Sequence, residues 1–163
     1  MSIPARSRMI LGVLLSLVAM SLTACSARIV GQTGIGVDSQ GRAVGYLVVC
    51  RKKVDNLVLY YNDSSGEHIV GKWHSATPVT KESVLTLQDP PAAWEEETAP
   101  GSLVNGIEYH LSGGSDDNKT STVGVSFTLD AVAKLSPGQI LFQRGDSARR
   151  ATSIGGMRSQ VCQ

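Results

Sequence analysis

Apolar and polar residues alternate along this chain with a period of two, and no stretch carries an apolar stripe at helical spacing over three turns. Leu103, Ile107, Tyr109 and Leu111 share one parity; so do Val123, Val125, Phe127 and Leu129, with Gly124, Ser126 and Thr128 between the latter. Successive side chains of a strand point to opposite faces, so each run reads as a strand buried on one side. Similar runs recur every 10 to 20 residues, separated by Gly, Pro, Asn and Asp. That pattern predicts an all-β domain, a two-sheet antiparallel sandwich or a small barrel.

Residues 33–37 and 43–50 make a first hairpin around the turn Asp38-Ser39-Gln40-Gly41. Asp suits the first position of such a turn, and glycine takes the positive φ that follows. In 43–50, Val44, Tyr46 and Val48 alternate with Ala43, Leu47 and Val49, so both faces are apolar and the strand is central. Residues 54–61 and 69–73 are strands either side of the cluster Asn62-Asp63-Ser64-Ser65-Gly66. Further strands are expected at 83–88, 103–111, 123–129, 140–143 and, last, 157–161, with one helical turn within 129–135.

Ahead of these strands, Arg6 and Arg8 precede residues 9–22, whose only polar members are Ser16 and Ser21. The run is short for a membrane span, which needs about 20 apolar residues, but suits the core of a signal peptide. Leu22-Thr23-Ala24-Cys25 follows and resembles the lipobox of bacterial lipoproteins. The resemblance implies a signal peptide at 1–24, a lipid on Cys25, a tether over 25–32 and a β-sandwich domain over 33–163. The alternative is an ordinary secretory signal cut near Ala24. Ser7 separates the two arginines, so the pattern favours general secretion over twin-arginine export.

Cleavage and lipidation reset the arithmetic. The full chain has 15 basic and 14 acidic residues, and losing Arg6 and Arg8 turns a net charge of +1 into about −1. Neither value suits a partner with a phosphate backbone, so nucleic acid is not expected. Of three cysteines, Cys50 and Cys162 remain once Cys25 carries lipid, and an oxidising compartment lets them form a disulfide. Neither has a histidine or second cysteine close in sequence, so a zinc site is the weaker reading.

The stretch from Val123 to Phe142 resembles a corner of immunoglobulin-like domains, which makes an immunoglobulin-like sandwich the expected architecture. The whole plan, a lipobox, an early Gly-rich hairpin ending in Cys and a second Cys at the carboxyl end, resembles small uncharacterised lipoproteins of high-GC Gram-positive bacteria. That likeness implies a position on the outer face of the cell membrane and names no activity.

Two stretches interrupt the β pattern. Residues 88–102 hold Pro90-Pro91, Trp94, Glu95-Glu96-Glu97 and Pro100-Gly101, a stiff loop that would present Trp94 beside three carboxylates. Trp94, Glu95, Glu96 and Glu97 are therefore the candidate ligand-binding residues, unless Trp94 folds back to cap the domain. Residues 112–121 read as a solvated hairpin tip without the ligand spacing of a calcium loop.

No Gly-x-Ser-x-Gly, His-Glu-x-x-His, phosphate loop or Ser-x-x-Lys is present. His68, His74 and His110 are the only candidate bases for chemistry near neutral pH, and a histidine pair alone is a poor metal site. No catalytic residue, metal or cofactor is expected. The sequence points to a membrane-anchored binding or scaffold module that contacts an envelope protein or cell-wall polymer. An envelope hydrolase using a histidine and an acidic residue is the alternative.

Overall fold

In the computed structural model, which describes residues 26–145, 147–151 and 153–163, the first hairpin lies where its turn chemistry puts it. β1 (Arg28–Val37) and β2 (Ala43–Val49) pair antiparallel from Gly31 opposite Val49 to Val37 opposite Ala43. Asp38 shapes the turn: Oδ1 accepts from the N–H groups of Gln40 (2.8 Å) and Arg42 (2.9 Å), and Gly41 takes φ +76°. Cys25 and the signal peptide fall outside the described residues.

β3 (Val54–Asp63) and β4 (Gly66–Val79) form a long second hairpin, and β5 (Glu82–Thr86) returns beside β2. β6 (Trp94–Thr98) pairs with β4, and β7 (Tyr109–Gly114) pairs with β3. β8 (Thr120–Val123) and β9 (Val125–Phe127) follow, then the expected helical turn, α1 (Leu129–Val132), capped by Thr128. β10 (Ile140–Arg144), β11 (Ser147–Ala151) and α2 (Ile154–Val161) complete the chain.

The fold is all-β, as the alternation predicted, but its ladder is not an antiparallel immunoglobulin-like sandwich. The strands form one mixed sheet in the order β5-β2-β1-β8-β7-β3-β4-β6, with β10 and β11 branching from β1 and β9 lying on β7. β1 and β8 run parallel. The sheet curls into a nearly closed barrel, and its two outer strands meet where Trp94 Nε1 donates to Ser83 Oγ at 3.1 Å. Side-chain parity says which face of a strand is buried, not whether the buried faces belong to two sheets or to one that curls.

Two apolar clusters follow from that curl. The larger fills the barrel with Leu57, Leu59, Trp73, Leu85, Tyr109 and Phe127 among others. The smaller lies on the opposite face of β2, where Val48 meets Ile140, Phe142, Ala151 and Met157. β2 is thus covered on both sides, as its two apolar faces predicted.

Several boundaries differ from the sequence reading: the strand expected over 69–73 runs the whole of Gly66–Val79, and the one expected over 123–129 is split among the end of β8, β9 and the start of α1. Residues 28–32, expected in the tether, already belong to β1 and pair with β8. Residues 88–102, expected as loop, contain β6. The strand expected over 103–111 begins only at Tyr109, with Leu103 and Ile107 packed against the core from irregular chain. Residues 157–161 are helical rather than a last strand: Ser153 caps α2 by accepting from Gly156 N–H at 3.0 Å, and Met157 is fully buried.

Cys50 and Cys162 form the expected disulfide, with Cα atoms 5.2 Å apart across a separation of 112 residues. It ties the end of α2 to the residue after β2, holding the helix over the smaller cluster. Replacing both cysteines with serine should lower unfolding free energy by about 2–4 kcal/mol. Urea titrations of the two proteins, matched in pH, check that range.

Candidate functional site

Trp94 opens β6 where Pro91 O accepts its N–H at 2.8 Å. The strand places alternate residues inward and outward, and the indole goes inward: Trp94 is 4% exposed and belongs to the barrel core. The presented position expected for it is therefore corrected to a buried one, because its apolar area and its N–H are both satisfied against β5. Glu95, Glu96 and Glu97 stay exposed. Glu97 pairs with Lys72 at 2.5 Å, and Glu95 faces His74 across the ladder. Charge on this outer strand also discourages pairing with another chain's edge.

His74 does not join His68. It lies beside two carboxylates that sequence spacing gave no reason to group, Asp55 and Asp116, with one possible ligand atom from each residue within 4.8 Å of the others. His74 Nδ1 is 3.2 Å from Asp116 Oδ2; Asn56 Nδ2 donates to Asp116 Oδ1 at 3.0 Å; Asp55 Oδ1 accepts the Asp116 N–H at 2.8 Å. The donor set resembles one for a divalent ion. Its members already partner one another, and the network pins the β7–β8 hairpin tip to β3 and β4.

His68 sits at the other end of the β3–β4 hairpin. Its Nε2 is 2.9 Å from Ser65 Oγ and 3.0 Å from Asp63 Oδ1, while Ser65 Oγ donates directly to the same Asp63 oxygen at 2.6 Å. A hydrolytic triad needs serine and carboxylate on opposite ring nitrogens, and here both meet one. His110 Nδ1 is 2.8 Å from Ser126 Oγ, its cross-strand neighbour, and the ring stacks on Tyr60 at 5.2 Å.

One concave site with an apolar wall lies at the end of the barrel that carries the β1–β2 turn. A cleft of about 410 Å³ opens there between that turn, the chain at 100–103 and α1. Val37, Leu59, Leu87, Leu103 and Val132 line its wall, and Arg42, Gln88 and Ser102 stand among its polar residues. The size and the mix of an apolar wall with a few polar groups are those of small-ligand sites, which favour the mouths of β-barrels. Arg42 is fixed by ion pairs to Asp38 (2.7 Å) and Asp89 (3.2 Å). The sequence showed the turn and the Pro100-Gly101 bend but gave no sign that they meet over α1. Compared with known proteins, the chain matches no family model, no curated protein and no solved structure.

Two measurements test these assignments. Trp94→Ala should cost about 3 kcal/mol or more, as for other large buried aromatics, which chemical denaturation reads directly. Asp63 is held down at about 2, first by the Ser65 hydroxyl, then by the Ser65 N–H and His68. A carboxyl depressed on folding stabilises above its ordinary value of 3.8, and that contribution disappears as the pH falls through about 2. Asp63→Asn should therefore flatten the loss of stability over that window, which unfolding free energies measured between about pH 2 and 4 check.

Proposed function

We propose that this chain is an exported lipoprotein, anchored through Cys25 to the outer face of the cell membrane, whose domain is a binding module of the envelope. The cleft at the barrel mouth carries the binding part of this reading. A half-enclosed apolar wall with Arg42, Gln88 and Ser102 among its polar residues suits a ligand, or a side group of an envelope polymer or protein, with an apolar body and hydrogen-bonding edges. The Cys50–Cys162 bridge supports the export part, because such bonds persist in oxidising compartments. The hydrolase alternative has less support: neither Ser65 with His68 nor Ser126 with His110 has the two-sided imidazole that nucleophile activation uses.

Ala133 is exposed at the lip of the cleft, so Ala133→Trp fills the opening without entering the core. With anilinonaphthalene sulfonate as probe, the parent should show saturable one-to-one binding that Ala133→Trp weakens by about tenfold, the equivalent of one lost apolar contact region. An unchanged melting temperature excludes unfolding as the cause. In parallel, Cys25→Ser should abolish fatty-acid labelling; a mutant that still labels and still fractionates with membranes ends the anchor reading.

A further inference from the structure

The two ends of the barrel carry opposite charge. Arg28, Arg51, Lys52, Lys53, Lys81 and Lys119 surround the end where β1 begins. Four of them, Arg28, Lys52, Lys53 and Lys119, line one concavity of about 490 Å³ together with Asp117, and the other carboxylates toward this end, Asp55, Glu82 and Asp116, are paired with Lys53, Arg158 and His74. Asp117 is already engaged by Ser115 Oγ at 2.6 Å and Lys119 at 2.9 Å. Among the described residues Arg28, Arg51 and Lys52 have no ion-pair partner, and Lys52 stands at the tip of the β2–β3 turn with φ +63°. The cleft end is the reverse. Asp38, Asp63, Glu67, Asp89, Glu108 and Asp130 stand at the strand ends and connections on that side, with Arg42 and Lys134.

Apolar surface accompanies the basic end. Ile29 is 50% exposed and Val123 36%, and both line a second hollow there together with Arg51 and Arg144. Basic residues around exposed aliphatic side chains are the composition of surfaces that rest at a lipid headgroup layer.

We propose that this end of the barrel lies flat against anionic phospholipid headgroups, with Arg28, Arg51 and Lys52 on the phosphates and Ile29 turned toward the acyl boundary. The inference rests on the Cys25 anchor. Arg28 is three residues after Cys25, a span of roughly 10 Å at full extension, which is about one Debye length. An anchored chain thus holds the basic end where the surface potential is still felt. The near-zero net charge does not oppose this, because the polarity along the barrel sets orientation while the lipid supplies attachment. Docking in this way turns the apolar cleft away from the membrane and toward whatever lies outside it.

The lipid-modified chain is purified from membranes and placed in vesicles of phosphatidylcholine, with or without a third of phosphatidylglycerol. Lysine acylation rates are then read residue by residue. Lys52 and Lys119 should react about fivefold more slowly on the anionic vesicles, the factor expected for one basic residue held at such a surface, and 0.5 M salt should remove the difference. Lys134, at the cleft end, should not change. Arg51→Glu combined with Lys52→Glu, shown to be folded by its melting curve, should restore Lys119 to its rate on neutral vesicles. Equal rates on the two vesicle types overturn the docking inference and leave the anchor standing. Failure to sediment with neutral vesicles overturns the anchor instead; docking then stands or falls on salt-sensitive sedimentation with the anionic vesicles.

Discussion

One edge of β1 serves two partners, and the rest of the fold depends on that division. Residues 28–32 pair in parallel with β8, and residues 34–36 pair antiparallel with β10, while the other edge holds β2 along nearly its whole length. A strand so shared cannot be part of two separate sheets. β8 carries the ladder on to β7, β3 and β4, and β10 starts the side branch that supports α2. The close approach needs a residue without a side chain: a Cβ at Gly31 would run into the Val48 carbonyl oxygen and lie 2.9 Å from Val49 Cα.

From β1 outward the barrel closes by side chains rather than by backbone. β5 and β6 end the eight-strand path, and no ladder joins them. Trp94 fills the gap, its ring in the core and its N–H on Ser83. The disulfide closes the side branch in the same manner, since α2 reaches β2 through Met157 and through Cys162 rather than through a strand pairing. Closure by a few large contacts leaves the end near α1 open, which is why a cleft exists there.

How much of this the sequence disclosed depended on range. The first hairpin was legible because Asp38 and Gly41 act within a few residues, and the bridge because reading Cys25 as part of a lipobox leaves Cys50 and Cys162 to pair. The α1 turn was legible through the Leu-containing stretch before Ser136-Pro137-Gly138. β6 was hidden because three successive glutamates and flanking prolines carry low strand propensity, and its pairing with β4 is decided by Trp94. α2 was hidden because Gly155 and Gly156 oppose a helix; burial of Met157 and the Ser153 cap outweigh them. Asp55, His74 and Asp116 gave no local signal, since three different strands or turns bring them together.

The polarity of the barrel sets its basic end and its cleft at opposite ends of one arrangement. Residues at strand ends have no ladder neighbour to offset their charge, so turns fix the sign of each end of a barrel. Here the turns after β2 and β4 contribute lysine and arginine, the β7–β8 tip sets Lys119 against Asp116 and Asp117, and the ends of the β1–β2 and β3–β4 hairpins contribute Asp38, Asp63 and Glu67. Because β1 enters from the basic end, any attachment before residue 28 orders the sequence of layers as attachment, cations, core, cleft. The direction of one strand therefore decides which way the cleft faces.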